Sequence, residues 1–568
     1  MLNLEKTSSN SESVTIREEI GSFDVNFRAR DAVFTKPAVV RFILDLAGYT
    51  ADKPLYDFKV LEPSFGAGNF LIEIVSRLLE SCQERLHARE IFEKLRNALL
   101  AIELDQSLVA STKERLVEIL LGYDFTLADS QILVDSWIVS GNFLLVSIDT
   151  TFEFVVGNPP YVRQESIDES QLREYRKRFH TIYDRADLYI PFIERSLSLL
   201  RENGKLGIIC ADRWMKNRYG GPLRSLISSK YHLEIYVDMS EVDAFDIEVS
   251  AYPAITIISR SKGRVTRIAH NPEIDDSTLR ALAATFHTKT KLISSSSVIE
   301  MHDITDGTEP WLMGSSQESD LIRRLESTFP SIEEVGCKIG IGVATGADKV
   351  FICDSALDIE ESRKVPIVTT RDISSGEVDW RGKVVINPYA DDGGLVELSE
   401  YPRLKMYLEL HKEVIAARHC VRKTTDKWFR TIDRIIPGLA SRPKLLIPDI
   451  RGEAHVVFED GQYYPHHNLY FVISDDWDLR ALQAVFLSSV TKLFVSSYST
   501  KMRGGYFRYQ AQYLRRLRLP RWNDVSAELR SELKMAARSR NQKLCNLAAS
   551  KLYALTENEI AAIGGIGE

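Results

Sequence analysis

The amino-terminal half of the chain alternates short apolar runs with stretches of helical periodicity. Seven runs between residues 30 and 259 have the length and composition of buried strands. Alternating strands and helices predict a mostly parallel sheet with helices on both faces, and hence an α/β domain. The predicted strands are 58–62, 99–103, 136–140, 152–157, 205–210, 233–238 and 253–258, and helical periodicity is clear over 68–82, 107–121 and 187–202.

A glycine turn follows the first predicted strand. Gly66-Ala67-Gly68 lies between the strand end at Glu62-Pro63 and the start of a predicted helix. Glycine lets the backbone approach a ligand closely, and open α/β sheets bind nucleotide-like cofactors at turns of this kind. The third glycine of a dinucleotide motif is absent, and no lysine follows as in a triphosphate-binding loop. The turn therefore predicts a site for a different nucleotide-like cofactor.

The tetrapeptide Asn158-Pro159-Pro160-Tyr161 follows the strand predicted at 152–157. Proline fixes its own φ and restricts the preceding residue, so the carbonyls of the Asn158 side chain and the Pro159 main chain have nearly fixed directions. Two such carbonyls can accept both protons of one planar NH2 group and turn its lone pair toward an electrophile. Tyr161 can stack on the same group. The tetrapeptide predicts alkylation of an exocyclic or amide nitrogen, although Asn and Pro are also common in ordinary turns.

Polar residues also follow the second and third predicted strands. Glu103 ends the second strand, where an acidic residue suits the ribose hydroxyls of an adenosine. Asn142 and Phe143 follow the third strand and offer an amide for an adenine edge and a ring beside it. The three strand ends together indicate an adenosine-containing cofactor next to the tetrapeptide.

These motifs, in this order, resemble those of the γ-class N6-adenine DNA methyltransferases of restriction–modification systems. The resemblance is close over residues 30 to 260 and begins at Phe34-Thr35-Lys36-Pro37. It implies a Rossmann-like domain that transfers a methyl group from S-adenosylmethionine to N6 of an adenine flipped out of duplex DNA. The cofactor-binding residues it implies are Thr35, Glu62, Pro63, Gly66, Ala67, Gly68, Glu103, Leu104, Asn142, Phe143 and Asn158.

The same resemblance assigns the catalytic step to Asn158, Pro159 and Tyr161, and places Phe245 against the flipped base beside Tyr161. Stacking on aromatic rings contributes about 1–3 kcal/mol per base, which offsets the few kcal/mol that extrusion costs. The polar neighbours of Phe245 favour a functional ring over a core one. The sulfonium donor is already activated, so no metal is expected. One departure is Asn142, where relatives usually have aspartate, but an amide oxygen can still accept a hydrogen bond from an adenine amino group.

A chain of 568 residues is too long for one core and predicts two or three domains. We expect a polar arm at 1–28, the catalytic domain at 29–265, a connecting region at 266–330 and a mixed α/β target-recognition domain at 331–568. In the last of these, the predicted elements include a strand at 349–352 and a helix at 525–555. The glycine-rich run at 340–348 is interpreted as a tight turn between strands, because no Gly-Lys-Ser/Thr ends it.

The composition predicts a cytoplasmic protein, and the resemblance implies a bacterial or archaeal cell in which the protein is associated with DNA. The six cysteines occur singly and form no C-x-x-C pair, so neither a zinc knuckle nor a disulfide framework is indicated. His466-His467 has no ligand partners at metal-binding spacing in the sequence. No apolar run is long enough to span a membrane, and the amino terminus lacks the features of a signal peptide.

The net charge of −8 argues weakly against a nucleic-acid partner, but phosphate contact needs only a local basic surface. Residues 501–521 contain seven basic residues, interleaved with aromatic rings, and no acid. A second basic stretch covers residues 422–451. These stretches are compatible with the double-stranded DNA partner that the resemblance implies, and the resemblance also implies a separate cognate restriction endonuclease; we expect a monomeric chain. The predicted DNA-binding residues are Arg503, Arg508, Arg515 and Arg516.

Other functions remain open at this point. The tetrapeptide chemistry suits any planar NH2 group, so the substrate can also be RNA or the glutamine amide of a protein. A non-catalytic DNA-binding module would keep the fold, but the intact tetrapeptide argues against it. A fused restriction–methylation enzyme is disfavoured because no Asp…Glu-x-Lys cluster is evident.

Overall fold

The computed structural model describes residues 16–17, 34–82, 85, 88–246, 253–288, 297–314, 316–421, 427–451, 455–499 and 507–565. The chain forms two compact units, Met1–Met313 and Gly314–Glu568. Apart from residues 16–17, the predicted arm at 1–28 lies outside the described residues.

The first unit is built on one nine-stranded sheet. Its strands in chain order are β1 (Val60–Glu62), β2 (Leu99–Glu103), β3 (Ile138–Ser140), β4 (Phe152–Gly157), β5 (Leu200–Ala211), β6 (His232–Asp238), β7 (Pro253–Ser259), β8 (Val265–His270) and β9 (Ile299–His302). A separate short pair joins Ile16–Arg17 to Ser147–Ile148 in antiparallel register.

The spatial order of this sheet is β9-β8-β6-β7-β5-β4-β1-β2-β3. Strands β1 to β5 are mutually parallel, while β7 runs antiparallel to both β5 and β6. The chain moves outward in one direction from β1 to β3 and then returns to the other side of β1 at β4. Ligands of open α/β sheets bind at such a reversal, outside the carboxyl ends of the strands. The topology thus brings the ends of β1, β2 and β4 to one crevice.

Helices cover both faces of this sheet, as predicted. Along β2, Leu99 and Ala101 belong to one buried cluster and Leu100 and Ile102 to the other, because successive side chains point to opposite faces. The helices of this unit are α1 (Pro37–Ala47), α2 (Asn69–Cys82), α3 (Arg89–Ala98), α4 (Gln106–Gly122), α5 (Leu127–Trp137), α6 (Glu169–Arg178), α7 (Tyr189–Ser198), α8 (Arg213–Lys216), α9 (Gly221–Lys230) and α10 (Asp276–Phe286).

The mostly parallel α/β sheet is confirmed, but it has nine strands where the sequence predicts seven. The two additional strands, β8 and β9, extend the sheet into the predicted connecting region at 266–330. The remainder of that region includes α11 (Ser316–Thr328), whose Arg324 forms an ion pair with Glu559 at 2.6 Å in the second unit. The units therefore divide at Met313 and Gly314, and the connecting region is shared between them.

The second unit contains two four-stranded sheets. In the first, β10 (Cys337–Ile341), β14 (Lys444–Pro448), β15 (Val457–Glu459) and β17 (Leu469–Ser474) are antiparallel in the order β10-β17-β14-β15. The second has the order β11-β13-β12-β16 and is formed by β11 (Ile352–Asp354), β12 (Lys364–Val368), β13 (Lys383–Ile386) and β16 (Tyr464–Pro465). Ile450–Arg451 also pairs with Phe507–Arg508.

The mixed α/β character of the second unit is as predicted, with two local corrections. The strand predicted at 349–352 is mostly a short helix, and the helix predicted at 525–555 is broken at Arg540, which has a left-handed φ of 53°. Asn541 then caps the next helix through its side chain. The helices are α12 (Asp348–Phe351), α13 (Pro402–Leu410), α14 (Lys412–Ala416), α15 (Leu479–Leu487), α16 (Ser489–Tyr498), α17 (Ala511–Leu514), α18 (Ala527–Ser539), α19 (Gln542–Leu552) and α20 (Glu557–Ala562).

Among the described residues, no single helix is long and apolar enough to cross a membrane. The pair α15 and α16, bent by 62° at the break between them, meets that criterion of length and composition only when the two are taken together.

A fully buried ion pair lies in the first sheet of the second unit. Neither Lys444 of β14 nor Glu459 of β15 exposes its side chain, and the two are in direct contact. Lys444 Nζ also donates to the carbonyls of Ala440 and Tyr463 at 3.2 and 3.0 Å, so the ammonium group is fully surrounded by acceptors. A buried charge needs such a set of partners, because its hydration is lost.

We expect Lys444→Met to lower the free energy of unfolding by about 3–5 kcal/mol, because it leaves the Glu459 carboxylate buried without its cation. Lys405→Met, at an exposed lysine of α13, is the matched control and should change stability by less than about 0.5 kcal/mol. Urea denaturation measures both. A Lys444→Met protein as stable as the control would contradict a stabilising role for the pair.

Candidate active site at the ends of the central strands

The predicted ribose acid, Glu103, holds the glycine turn in place. Its Oε2 accepts a hydrogen bond from the N–H of Gly66 at 2.8 Å. Its Oε1 accepts from the N–H groups of Leu104 and Asp105 at 2.8 and 3.0 Å. Three of about four acceptor positions of the carboxylate are thus used by the backbone. Glu103 and the turn form one rigid unit, with acceptor capacity left for a ligand hydroxyl.

The turn itself requires glycine at its last position. Gly68 has a φ of 83°, and a Cβ atom there would lie 2.9 Å from Cγ2 of Thr112 on α4. Gly66 also has a positive φ, of 52°. Arg115 of α4 donates to the Ala67 carbonyl at 2.7 Å, which fixes the middle of the turn from the neighbouring helix. The predicted glycine motif therefore has the backbone conformation that a close approach to a ligand needs.

Glu62, at the end of β1, is buried in an unusual state for a carboxyl group. Only 1% of its surface is exposed, and its Oε2 has no hydrogen-bond partner among the described residues. Burial raises the pKa of Glu62 well above its ordinary value, and the negative charge of Glu103 adds to that effect. A Cβ atom added to Gly157 would lie 3.7 Å from Glu62 Cγ and 3.5 Å from Pro63 Cδ, so β1 ends directly against the residue that precedes Asn158.

Asn158 is half-buried at the end of β4 and is held by Thr35. Its Nδ2 donates to Thr35 Oγ1 at 3.3 Å, while its Oδ1 is shielded from solvent. The carbonyl of Thr35 in turn accepts from Nδ2 of Asn69, the first residue of α2, at 2.9 Å. Thr35 thus links the tetrapeptide to the helix that follows the glycine turn.

The segment around Thr35 is also paired with the segment around Phe245. Lys36 N–H donates to the Ala244 carbonyl, and Asp246 N–H donates to the Phe34 carbonyl, both at 3.0 Å. Thr35 and Phe245 lie opposite each other in this short antiparallel bridge. Two predicted site residues that are 210 positions apart are therefore brought together by main-chain hydrogen bonds.

The two predicted stacking rings, Tyr161 and Phe245, are in contact with each other. Their centroids are 6.3 Å apart, and the rings are nearly perpendicular, with an angle of 82° between their planes. Phe245 is only 6% exposed and belongs to the core, so the argument from its polar sequence neighbours is wrong. This edge-to-face geometry has no parallel slot for a base. The pairing of these two residues across a base stays a prediction that requires at least one ring to turn.

The two predicted adenine contacts, Asn142 and Phe143, differ in how accessible they are to a ligand. Asn142 donates to the Tyr175 hydroxyl at 2.8 Å and accepts from Leu144 N–H at 3.0 Å, which fixes the amide but leaves acceptor capacity on its oxygen. The ring of Phe143 is 2% exposed and contacts both Phe192 and the guanidinium of Arg195, so it is buried and its predicted contact with the adenine stays a prediction. Leu104 is the apolar side chain exposed at this edge, at 42%.

The sequence did not identify three residues that hold parts of the site in place, namely Asn69, Arg115 and Tyr175. Each acts through a contact with a residue at least 33 positions away, and each is of a type that is common on helices. No local pattern distinguishes them, so only the packing of α2, α4 and α6 against the strand ends reveals them.

In the second unit, the predicted DNA-binding arginines were chosen because residues 501–521 contain no acid. That argument is wrong, because it considers only neighbours in sequence. Acids from elsewhere in the chain pair with the basic segment: Arg508 with Asp449, Arg515 with Glu333 at 2.9 Å, and Arg516 with Glu326 at 3.7 Å. These arginines therefore have structural partners, and their contact with DNA stays a prediction. Arg503 lies outside the described residues.

The prediction that His466-His467 lacks ligand partners is also wrong. Asp348 lies 118 residues earlier in the chain, and its Oδ2 is 3.1 Å from His466 Nε2. The sequence spacing could not reveal this proximity, because it depends on the pairing of two distant segments.

Comparison with known proteins agrees with this geometry. The Eco57I restriction-modification methylase family matches residues 84–245, and the TaqI-like C-terminal specificity domain matches residues 365–519. Strand order, crevice and family matches together define the chain as a methyltransferase of restriction–modification type.

Relatives of nearly full length narrow this class. The Type II methyltransferase M.PaeR7I of Pseudomonas aeruginosa is 57% identical over 95% of this chain and 94% of its own length. M.XhoI of Xanthomonas vasicola, also a Type II methyltransferase, is 48% identical over 93% of this chain and 98% of its own length. The chain belongs to the Type II methyltransferases of restriction–modification systems.

A solved structure supports the fold at much lower sequence similarity. The Type IIL restriction-modification enzyme MmeI, determined in complex with DNA, matches with a TM-score of 0.59 at 13% identity. The match covers 93% of this chain and 76% of that chain. At this identity the likeness concerns the fold alone.

Glu62→Gln should stabilise the cofactor-free protein, and more so at higher pH. The raised pKa means that the folded state holds a proton that the unfolded state releases, so the stability of the natural protein falls as pH rises above about 5. We expect the Tm of the variant to exceed that of the natural protein by roughly 2–6 °C at pH 8 and by less at pH 5. Thermal unfolding at both pH values measures this, and a difference in Tm that does not depend on pH would contradict it.

Thr35→Val should lower kcat for methyl transfer by about 10- to 100-fold, because it removes the acceptor that orients the Asn158 amide. Thr35→Ser keeps the hydroxyl and should retain most of the activity. Single-turnover kinetics with both variants separates positioning from simple packing. Equal activity of the valine variant and the natural protein, or equal impairment of both variants, would rule out this role.

Proposed function

We propose that this chain transfers a methyl group from S-adenosylmethionine to N6 of adenine in double-stranded DNA, as the protective methylase of a restriction–modification system. The observation that carries the proposal is the Thr35–Asn158 hydrogen bond, which fixes the tetrapeptide amide next to the turn anchored by Glu103. This arrangement puts an amine-orienting group beside a nucleoside-binding turn, as methyl transfer to a nitrogen requires.

The residues at the strand ends fit S-adenosylmethionine. Glu103 retains acceptor capacity for a ribose hydroxyl, and the oxygen of Asn142 retains it for an adenine amino group. Leu104 supplies exposed apolar surface at the same edge. The buried oxygen of Glu62, which lacks a hydrogen-bond partner among the residues that the structure describes, suits a cationic ligand, because a nearby positive charge stabilises the carboxylate. The cofactor, when bound, supplies a methyl group already activated by a sulfonium.

The tetrapeptide would orient the target amine. Asn158 Oδ1 and the carbonyl of Pro159 would each accept one N–H of the amino group, so that the nitrogen lone pair points toward the methyl carbon. Since Thr35 already holds the Asn158 nitrogen, the amide needs little reorganisation on binding. A nitrogen–carbon bond forms as the sulfur–carbon bond breaks, and the methylated amine then releases a proton to solvent. No general base is required before the attack.

A duplex base has to leave the stack to reach this crevice. Tyr161 and Phe245 would receive it, which requires their perpendicular contact to open and at least one ring to turn parallel to the base. Base–aromatic stacking of about 1–3 kcal/mol per ring then offsets the loss of the edge-to-face contact and part of the extrusion cost.

The second unit would provide sequence recognition, in keeping with its match to a specificity domain. We propose that its basic residues contact phosphates and base edges of the duplex, including Arg508, Arg515 and Arg516 where their guanidinium groups have donors to spare beyond their acid partners. We further propose that the chain acts as a monomer in the cytoplasm and that a separate endonuclease cleaves the same site.

Transfer of labelled methyl groups to duplex DNA, RNA and protein tests the substrate directly. We expect label in duplex DNA alone, and nucleoside analysis by mass spectrometry should find N6-methyladenine. Detection of N4-methylcytosine or 5-methylcytosine instead would refute the adenine assignment. Label in RNA or in a glutamine amide would favour the other substrate class that the tetrapeptide chemistry permits.

Asn158→Ala should reduce transfer by at least about 100-fold, while the affinity for S-adenosylmethionine changes little, because the amide acts on the target amine. Asn97→Ala, at an exposed asparagine of α3, is the matched control and should retain full activity. Equilibrium binding of the cofactor distinguishes loss of orientation from loss of the site. Residual activity near that of the control would remove Asn158 from the catalytic role.

A further inference from the structure

Three metal-binding side chains converge in the second unit, in a place that the methyl-transfer site does not use. Asp348 is the first residue of α12, and His466 and His467 lie between β16 and β17. One ligand atom from each of these three residues can be chosen such that all three atoms lie within 4.8 Å of one another. We propose that Asp348, His466 and His467 form a binding site for a divalent first-row cation of the Zn²⁺ class.

The separations are close to those that such an ion imposes. Tetrahedral Zn²⁺ binds imidazole nitrogen and carboxylate oxygen at about 2.0–2.2 Å, which puts neighbouring ligand atoms about 3.3–3.5 Å apart. His466 Nε2 and Asp348 Oδ2 are already 3.1 Å apart. His467 has only to move its exposed ring slightly to complete three protein ligands, and water completes the fourth position.

The backbone around the site is held rigidly. Gly342 packs so tightly that a Cβ atom there would lie 2.2 Å from the Pro465 carbonyl and 2.3 Å from the His466 carbonyl. Val343 N–H donates to the Pro465 carbonyl at 3.0 Å, and His467 N–H donates to the Val343 carbonyl at 3.1 Å. These contacts fasten the two segments that carry the ligands to each other, so the ligands need not be gathered when the ion binds.

The carboxylate of Asp348 is oriented by a second contact. The hydroxyl of the fully buried Thr345 donates to Asp348 Oδ1, and the same hydroxyl accepts from Ala347 N–H at 3.1 Å. Oδ1 is therefore engaged, and Oδ2 is the oxygen directed at His466. Supporting hydrogen bonds of this kind characterise metal ligands in proteins, because they fix the orientation of the binding atom.

The two histidines are in a state suited to ligation. The side chain of His466 is nine-tenths buried, and within the part of the chain that the structure describes its Nδ1 has no hydrogen-bond partner, so Nε2 is the ring nitrogen directed at Asp348. The rings of His466 and His467 are 4.0 Å apart between centroids. A cation at Nε2 would take the place of the proton that now joins His466 to Asp348.

The site would cross-link distant parts of the second unit. It would join the β16–β17 connection to the start of α12, and hence to the glycine-rich turn at 340–348. It is independent of methyl transfer as proposed above, so the ion would stabilise the second unit and would take no part in the reaction. Hard cations such as Mg²⁺ prefer all-oxygen ligands and should bind poorly here.

Zinc titration of the full chain after chelator treatment tests the proposal. Isothermal titration calorimetry should find one tightly bound Zn²⁺ per chain, and the ion should raise Tm by on the order of 5 °C at about a hundredfold excess over Kd. Mg²⁺ at the same concentration should have neither effect. Co²⁺ should give a visible absorption band that marks the same coordination site.

Each of His467→Ala and Asp348→Asn should lower Zn²⁺ affinity at least tenfold and abolish the Co²⁺ band. His419→Ala, at another exposed histidine of the same unit, is the matched control and should change neither. His467 is exposed, so its variant should fold normally, and circular dichroism verifies this. Absence of stoichiometric zinc binding, or equal affinity in the three variants, would overturn the proposal, since histidines at a surface also bind zinc weakly and non-specifically.

Discussion

The hydrogen bonds that Glu103 accepts from the glycine turn and from the loop after β2 are the contacts on which the rest of the site depends. One carboxylate accepts from Gly66, Leu104 and Asp105, and so binds the loop after β1 to the loop after β2. The turn then leads into α2, whose first residue, Asn69, holds the Thr35 carbonyl. Thr35 in turn holds the amide of Asn158. A buried carboxylate that accepts three charge-assisted hydrogen bonds holds both loops firmly in place. The positions of Asn69, Thr35 and Asn158 depend on this fixed turn.

The same chain of contacts explains how far a sequence can be interpreted without a structure. Apolar periodicity identifies the central strands, glycines identify the turn, and prolines identify the tetrapeptide. These elements lie where the sequence predicts. Thr35 and Phe245 meet through a bridge across 210 positions, which no local pattern encodes. Strands β8 and β9 were missed for a related reason. β9 is the edge strand of the sheet and β8 lies between it and β6, and the polar residues of both resemble a connecting segment.

Charge was the least predictable feature, because ion pairs join residues that are far apart in sequence. The segment at 501–521 contains no acid, yet Arg508, Arg515 and Arg516 pair with acids more than 50 positions away. Sequence spacing also failed to identify the partner of His466, because Asp348 lies in another part of the chain. A count of charges along a window measures local composition, whereas electrostatic energy depends on distance in space. A basic run in the sequence is therefore evidence for nucleic-acid contact only once its acid partners in space, and the donors they leave over, are known.

The site also combines groups that a protein selected for stability alone would avoid. Glu62 is buried with an oxygen that no described residue contacts through a hydrogen bond, and Glu103 lies close enough to raise the pKa of Glu62 further. Burial of a carboxyl group in this state is unfavourable unless a ligand supplies the missing positive charge. This burial destabilises the cofactor-free protein. A bound cation removes the destabilisation, and the free energy recovered in this way favours cation binding. Local destabilisation at the end of β1 is therefore better explained by ligand binding than by packing, because an apolar residue would fill the same space at lower cost.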